Sequence, residues 1–480
     1  MKFQEKKDRY TKERQAHWDD LASRWDTFNS TGNAYHKRLE AVYASIMPPQ
    51  SRVLEIGCGP GDLLAAVPGQ EKVGIDFSNS MVQLASKRHP EMTFVSADIH
   101  DLDQTDFSGQ FDIIILSDLI NDLFDVQDAF ANLHRFCHDR TRVVVNYYSF
   151  LWQTPLRAAQ RLGWKRPVLP QNWLTPSDVS SLFQLAGFEV FKHWQEILMP
   201  LPVPGVESFC NRYLVKIWPF LHGALSNFMM ARSTRASGLR PSPRVSVIVP
   251  ARNEEGNVDR IFSDIPAMGA HTEVIFVEGG SQDNTYEAIQ QALPRYPDVD
   301  ASVYQQTGKG KGDAVRLGYA KATGDILMIL DADLTVPPEM LPRFVEVLTS
   351  GKGEFVNGVR LVYPMEKRAM RFFNLLGNKF FSMAFSWLLN QPIKDSLCGT
   401  KVLWREDYML IAANRAYFGD FDPFGDFDLL FGAAKQNLKI VDLPIRYMER
   451  TYGDTNISRW KHGMILLRMV MFAAKRIKFI

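Results

Sequence analysis

The chain has 480 residues, 46% hydrophobic and 23% charged, with 55 basic against 54 acidic side chains and a net charge of +1. That balance excludes a whole-chain electrostatic partner such as nucleic acid, and the length exceeds what one hydrophobic core usually serves, so at least two domains are expected. The opening MKFQEKKDRYTKERQ is charged throughout and is not a secretory signal, so a cytoplasmic chain is expected. Cys58, Cys137, Cys210 and Cys398 are scattered and form no C-x-x-C pair, which argues for reduced thiols rather than a zinc site or a disulfide framework. No run reaches the roughly 20 apolar residues that span a bilayer.

After a charged helical segment, strand Arg52–Ile56 runs into the loop Gly57-Cys-Gly-Pro-Gly61. Glycines at such a turn let backbone approach a ligand that side chains would push away. Strand Lys72–Asp76 follows and places a carboxylate 19 residues after Gly57, suited to two ribose hydroxyls. A dinucleotide-binding domain would offer the same acid, but its fingerprint is G-x-G-x-x-G, whereas the glycines here fall at 57, 59 and 61 behind Glu55. A further acid, Asp98, ends a third strand in Val95-Ser-Ala-Asp-Ile-His-Asp-Leu102.

With that set, residues 15 to 232 resemble the class I S-adenosylmethionine-dependent methyltransferases. The resemblance implies a cofactor held by Glu55, Gly57, Gly59, Gly61, Asp76, Asp98 and Ile99. It also implies that strand Phe111–Leu116 delivers Ser117–Asp122 to the methyl-transfer end, with Asp118 and Asn121 facing the substrate and His36 a candidate base. The sulfonium is already activated, so in-line placement of the nucleophile supplies much of the acceleration.

Arg232-Ser-Thr-Arg-Ala-Ser-Gly-Leu-Arg-Pro-Ser-Pro-Arg244 is polar and Pro-containing and reads as a linker, placed at 233–243 between domains 1–232 and 244–480. On both sides an apolar strand, a turn and a helical period recur in that order. The expected fold class is therefore α/β, two tandem doubly wound domains, the first Rossmann-like.

The second half opens with strand Arg244–Val249 and Pro250-Ala-Arg-Asn-Glu-Glu-Gly-Asn257, a strand end built of polar side chains rather than glycine. Strand Glu273–Val277 leads into Glu278-Gly-Gly-Ser-Gln-Asp-Asn-Thr285, and Gly308-Lys-Gly-Lys-Gly312 is a basic loop opening a helix, suited to phosphate. Then Leu327-Met-Ile-Leu-Asp-Ala-Asp-Leu334 ends an apolar run in two carboxylates. Both would repel a diphosphate, and a divalent cation (Mg2+ or Mn2+) on Asp331 and Asp333 resolves the conflict.

Residues 243 to 480 resemble the family 2 glycosyltransferases of GT-A fold, especially the dolichyl- and polyprenyl-phosphate mannose or glucose synthases. The resemblance implies that Pro250, Asn253, Glu254, Glu278 and Lys311 face the nucleotide-sugar donor, with Asp331 and Asp333 on metal and diphosphate. It places Arg360 on phosphate or donor, Arg450 on phosphate, and Asp395, Asp426 and Asp428 around the sugar. The family often has two aspartates where Glu278 and Gly279 stand, and lysine where Asn456 stands, a contact that Arg459 or Lys461 could replace. A nucleotidyltransferase would show a Gly-rich basic loop after the first strand, which Pro250–Gly256 lacks.

A lipid-phosphate acceptor is already an anion and needs no general base, which Arg371, Arg450 and Arg459 favour, whereas an alcohol would need Asp426 or Asp428. Residues 366 to 389 and the last helix, with Lys461, Arg468 and Lys475 seven apart, fit interfacial helices on the inner face of a membrane, or helices packed on the core. The expectation is a bifunctional enzyme, or alternatively a glycosyltransferase with a non-catalytic S-adenosylmethionine-binding domain, acting on a lipid-phosphate or glycan acceptor without nucleic acid.

Overall fold

A computed structural model describes residues 3–27, 33–102, 107–163, 167–235, 240, 242–363, 372–415, 425–450, 452 and 459–480. The chain divides into two compact units, Met1–Ser237 with Phe479–Ile480, and Gly238–Lys478. Each unit contains a seven-stranded sheet among the described residues.

In the first unit the strands are β1 (Arg52–Ile56), β2 (Glu71–Asp76), β3 (Thr93–Ser96), β4 (Phe111–Ser117), β5 (Cys137–Tyr148), β6 (Phe188–Glu196) and β7 (Ser226–Ser233). Their order is β3-β2-β1-β4-β5-β7-β6. All neighbours are parallel except β7, which runs antiparallel to both β5 and β6. The apolar runs of β1 and β4 are explained by burial on both faces, as central parallel strands require. Because β2 and β4 flank β1, the order reverses at β1, and a crevice opens beyond its carboxyl end. Local chemistry fixes the flanking helices. Ser78 caps Asn79–Arg88 by accepting from the Met81 N–H, and Thr175 with Asp178 forms a capping box on Pro176–Leu185.

In the second unit the strands are β8 (Arg244–Ala251), β9 (His271–Glu278), β10 (Asp300–Gln305), β11 (Ile326–Ile329), β12 (Phe355–Val359), β13 (Lys401–Trp404) and β14 (Ile440–Pro444). Their order is β10-β9-β8-β11-β13-β12-β14, with β13 antiparallel to β11 and β12. The order reverses at β8, so the second crevice lies where β8, β9 and β11 end. Register brings Ala251 opposite Glu278, and the Leu330 N–H donates to the Ile248 carbonyl (3.0 Å). Asp331 and Asp333 therefore leave the sheet at the crevice. The α/β fold class, two tandem doubly wound domains, is borne out.

Each unit has its own core. Val247, Phe276, Met328 and Phe344 belong to a cluster confined to the second unit, and Phe262 stacks on Phe276 with ring centroids 5.0 Å apart. Two clusters in the first unit cover the two faces of its sheet. Among the described residues no helix is long and apolar enough to cross a membrane.

Phe276→Ala should cost the second unit about 3–5 kcal/mol by opening a cavity in a closed core. Calorimetry should show one transition moved down in temperature and the other, belonging to the first unit, unmoved; a common shift of both would contradict separate cores.

Candidate functional site

The first crevice is lined by backbone. Gly57 and Cys58 donate N–H bonds to the Ile75 carbonyl (2.7 and 3.1 Å), which folds the loop over the end of β2. Gly57, Gly59 and Gly61 have φ of 72°, 50° and 78°, the left-handed region that favours glycine, and the space beside Gly59 is open. Asp76 accepts from the N–H groups of Gly59 and Ser78, both at 2.9 Å, leaving one lone pair per oxygen for a diol. Burial nevertheless pushes its carboxyl up to about 6. Glu55 is also buried, one oxygen has no hydrogen-bond partner, and burial reinforced by Asp76 holds its carboxyl well above the usual range. Asp98 is fixed by accepting from the His100 N–H (2.9 Å), while the Ile99 side chain is buried and its carbonyl accepts from Asn132 (2.9 Å).

At the end of β4 the structure assembles a cluster that sequence did not reveal. Asp118 has φ 53°, in the left-handed region, and accepts from Tyr35 Oη on both oxygens (2.8 and 2.9 Å) and from Asn146 Nδ2 (2.7 Å). Tyr43 donates to Asn146 Oδ1 (2.7 Å) behind it. Burial and the nearby Asp118 raise the Tyr35 and Tyr148 phenols well above their ordinary value, so both stay protonated donors. His36 is exposed and lies edge-on to Tyr35; the neighbouring residue, not the histidine, faces Asp118. Asn121 is wholly buried and is spent on structure: it donates to the Asn172 carbonyl (2.8 Å) and accepts from the Tyr148 N–H (3.1 Å). The charged N-terminal helix Phe3–Ser23 ties loops at this end together. Gln15 donates to the Phe77 carbonyl (2.9 Å), and Arg14 and Trp18 donate to Asp122 (3.0 and 2.8 Å).

In the second crevice, the loops after β8 and β9 lock together. Asn253, at φ 58°, takes Ser281 Oγ with its N–H (3.0 Å) and returns Oδ1 to the Gln282 N–H (2.8 Å), while the Glu254 N–H donates to Thr285 (2.9 Å). Pro250 is the penultimate residue of β8, and buried Glu278 accepts from the Ser281 N–H. Gln306, which sequence did not single out, donates its N–H to the Glu278 carbonyl (3.0 Å) and has a buried, unpartnered side-chain oxygen. Burial pushes Glu254 up to about 7, against the pull of Arg450 3.5 Å away.

Asp331 and Asp333 each meet a cation. Lys311 Nζ lies 2.6 Å from Asp331, and Arg450 donates to Asp333 Oδ2 (2.7 Å). Thr335 fixes the other Asp333 oxygen through its N–H (3.1 Å) and hydroxyl (2.8 Å). Burial opposes ionisation of Asp331, but Lys311, with Arg360 and Lys401, holds its carboxyl below the ordinary range. Gly399 passes directly over this pair, and a Cβ there would run into Asp331 and Lys311. Two carboxylates with hard oxygen donors fit Mg2+ or Mn2+. Among the described residues no third His, Cys, Asp or Glu joins them, so other ligands would come from diphosphate and water.

Asp395 is placed differently from the expectation that it faces the sugar. It is wholly buried and grips Arg360 bidentately (2.7 and 2.9 Å) while accepting from Asn378 (2.8 Å) and the Leu397 N–H (3.0 Å). Although burial alone would raise it, Arg360 holds its carboxyl down to about 2. Asp428 is buried near Arg415 Nε (3.5 Å) and Arg316 Nη1 (3.7 Å). Asp426 begins helix Asp426–Lys435, and Arg459 and Lys461 lie in helix Arg459–Ala473, their side chains outside the described set; Arg371 and Asn456 lie outside the described residues.

The fold and its two strand-end crevices thus define a tandem pair of doubly wound α/β units. Residues 49–184 match the model of a methyltransferase domain, and residues 246–406 that of glycosyl transferase family 2. The chain joins a methyltransferase domain to a family 2 glycosyltransferase domain. It is 30% identical over 220 residues to a dolichol-phosphate mannosyltransferase of Pyrococcus furiosus, covering 45% of this chain and 59% of that protein. It is 28% identical to the glycosyltransferase AglJ of Haloferax volcanii, covering 49% of this chain and 74% of the relative. A solved S-adenosylmethionine-dependent methyltransferase of Thermotoga maritima, described as a possible histamine N-methyltransferase, is similar at 15% identity and TM-score 0.36, covering 45% of this chain and 97% of its own.

Two outcomes are expected. If Asp76 takes the ribose diol of S-adenosylmethionine, it must be ionised to accept from both hydroxyls, so affinity, read by titration calorimetry, should be flat above about pH 7 and fall as pH drops through about 6; Asp76→Asn should weaken binding and abolish that slope. Asp395→Ala leaves Arg360 buried without its partner and should cost about 3–5 kcal/mol in chemical denaturation. Because the native carboxyl is depressed to about 2, its contribution in the unmodified chain is present above the ordinary aspartate value and lost as pH falls toward about 2.

Proposed function

We propose that the chain is a bifunctional transferase: its second unit moves a hexose from a nucleotide-sugar donor to a membrane-associated lipid phosphate or glycolipid, and its first methylates a glycan or glycolipid. The observation that carries this is the Asp331–Lys311 and Asp333–Arg450 constellation at the switch point of the second sheet. Asp331 and Asp333 would hold a divalent cation, which when bound neutralises the diphosphate leaving group. Lys311 and Arg450 have the reach to meet the same oxygens, and Asp395 aims Arg360 toward that end of the sheet. Pro250, Asn253, Glu254 and Glu278 form the nucleotide side. In the inverting direction the acceptor attacks the anomeric carbon opposite the diphosphate, and these fixed cations stabilise the charge that develops.

The mannosyltransferase relative is by its name a dolichol-phosphate enzyme, which supports a polyprenyl-phosphate acceptor. Helices Phe372–Leu389 and Arg459–Ala473 support contact with a membrane. Each buries one face, with Phe385 and Leu388 in the first and Leu466 and Met469 in the second. Each also exposes an apolar row, Leu376, Phe380 and Met383, and Met464, Leu467 and Met471. The core-packing and interfacial readings therefore describe different faces of the same helices.

In the first unit Glu55, the glycine loop, Asp76, Asp98 and Ile99 would hold S-adenosylmethionine, with Asp118 and Tyr35 at the methyl end. The reading is tested by a donor screen with nucleotide sugars, Mn2+ or Mg2+ and polyprenyl-phosphate vesicles, following release of nucleoside diphosphate. Asp333→Ala should lower the rate at least about a hundredfold. Adding labelled S-adenosylmethionine to the glycosylated product should then transfer label; transfer to no acceptor, despite cofactor binding, would leave the first unit a regulatory module.

A further inference from the structure

The first unit carries an apolar surface whose exposed residues have no role in the site assignments above. It is built from two insertions at the carboxyl end of its sheet, one following β5 and one joining β6 to β7. They are tied together: Trp152 Nε1 donates to the Gly223 carbonyl (2.9 Å) and the Ser149 N–H to the Leu225 carbonyl (2.7 Å).

Both insertions are firmly held from within. Asn211 is buried, accepts from the Leu198 and Met199 N–H groups (both 2.8 Å) and donates to the Met199 carbonyl (2.8 Å) and Glu207 (2.9 Å). Lys216 is buried in an ion pair with Glu196, whose other oxygen accepts from Arg38 (2.9 Å). In the first insertion Trp152 and Leu156 pack inward on the core. The inward faces are thus satisfied, yet the outward faces stay apolar. Trp218 is 73% exposed, Leu151 66% and Leu162 62%, with Phe150, Phe209 and Phe220 about half exposed. So many large exposed apolar groups on an ordered scaffold mark a docking surface.

Charge says what covers it. From Ser149 to Thr175 the chain has four basic residues, Arg157, Arg161, Lys165 and Arg166, and no acid. Arg157 and Arg161 are exposed on the same helix that Leu151 and Leu162 flank. Aromatic and aliphatic side chains beside a run of cations, with Glu207 of the second insertion held by Asn211, suit an anionic lipid surface, into which the rings insert while guanidinium groups meet headgroup phosphates. We propose that this face docks on an anionic bilayer, giving the first unit a membrane contact of its own, separate from the helices of the second. It does not depend on either activity proposed above.

The test is cosedimentation of the full chain with vesicles of phosphatidylcholine alone or mixed with phosphatidylglycerol, in the background Phe380→Ser/Met383→Ser/Met471→Ser, which removes exposed apolar groups from the second unit. That background protein should still partition onto the anionic vesicles and much less onto neutral ones. Adding Phe209→Ser/Trp218→Ser should lower partitioning tenfold or more. Arg157→Glu/Arg161→Glu, both at exposed positions that leave the core intact, should abolish the preference for phosphatidylglycerol. The proposal is overturned if both sets leave binding unchanged, or if sedimentation velocity shows that Trp218 and Phe209 hold a dimer of the chain while vesicle binding is unaffected.

Discussion

Carboxylates delivered to the end of a buried strand must find partners, and the two units satisfy them by opposite means. In the second unit Asp331 and Asp333 are met by full charges, Lys311 and Arg450, that come from a helix start and from a segment 117 residues further on. The result is a site in which both acids are paired with side-chain cations, and Lys311 holds the Asp331 carboxyl below the ordinary range against the opposing effect of burial. In the first unit Asp76 is met by the N–H groups of Gly59 and Ser78, which are backbone and cannot move away. Backbone dipoles compensate less than a cation does, and the carboxyl rises instead of falling. On the proposed reading, a divalent ion with a diphosphate would take over the partners of the former arrangement, and a neutral diol would add to the latter.

The remainder of the second crevice follows from the same constraint. Arg360 would be a third cation without an acid, and Asp395 supplies one from beneath, so the guanidinium is aimed without adding negative charge to the open face. Gly399 is the price of that closeness, since any side chain there would collide with Asp331 and Lys311. In the first unit Asp118 is held differently again, by two neutral donors, Tyr35 and Asn146, at a backbone conformation that aspartate tolerates better than most residues.

What was legible in the sequence was whatever is local. Strand runs, the glycine loop, the acid at the end of β2 and the D-x-D at the end of β11 each declare themselves within about ten residues, because periodicity and turn chemistry are short-range. What was hidden depends on convergence. Tyr35 reaches Asp118 across 83 residues and Ser226 across 191, and neither distance leaves a trace in spacing. His36 drew notice because histidine titrates near neutrality, although one step along a helix turns it about 100° away from its neighbour. Asp395 and Asn121 were visible as polar residues in site-like motifs, but only burial shows that their hydrogen-bonding capacity is already used.

That distinction bears on the choice between an anionic and an alcohol acceptor. A general base must hold a free lone pair and give up little on taking a proton. Asp428 is buried between Arg316 and Arg415, 3.7 and 3.5 Å away, so its Oδ2 is already turned toward cations. Asp331 and Asp333 are likewise engaged by cations, and Asp395 is saturated by donors. Glu254 is pushed up to about 7 by burial, and it sits with Arg450 beside the loops after β8 and β9. On the proposed reading, the described acids, tied to cations in this way, are better matched to a nucleophile that arrives already charged, such as a lipid phosphate, than to a hydroxyl; Asp426, whose side chain is outside the described set, takes no part in that comparison.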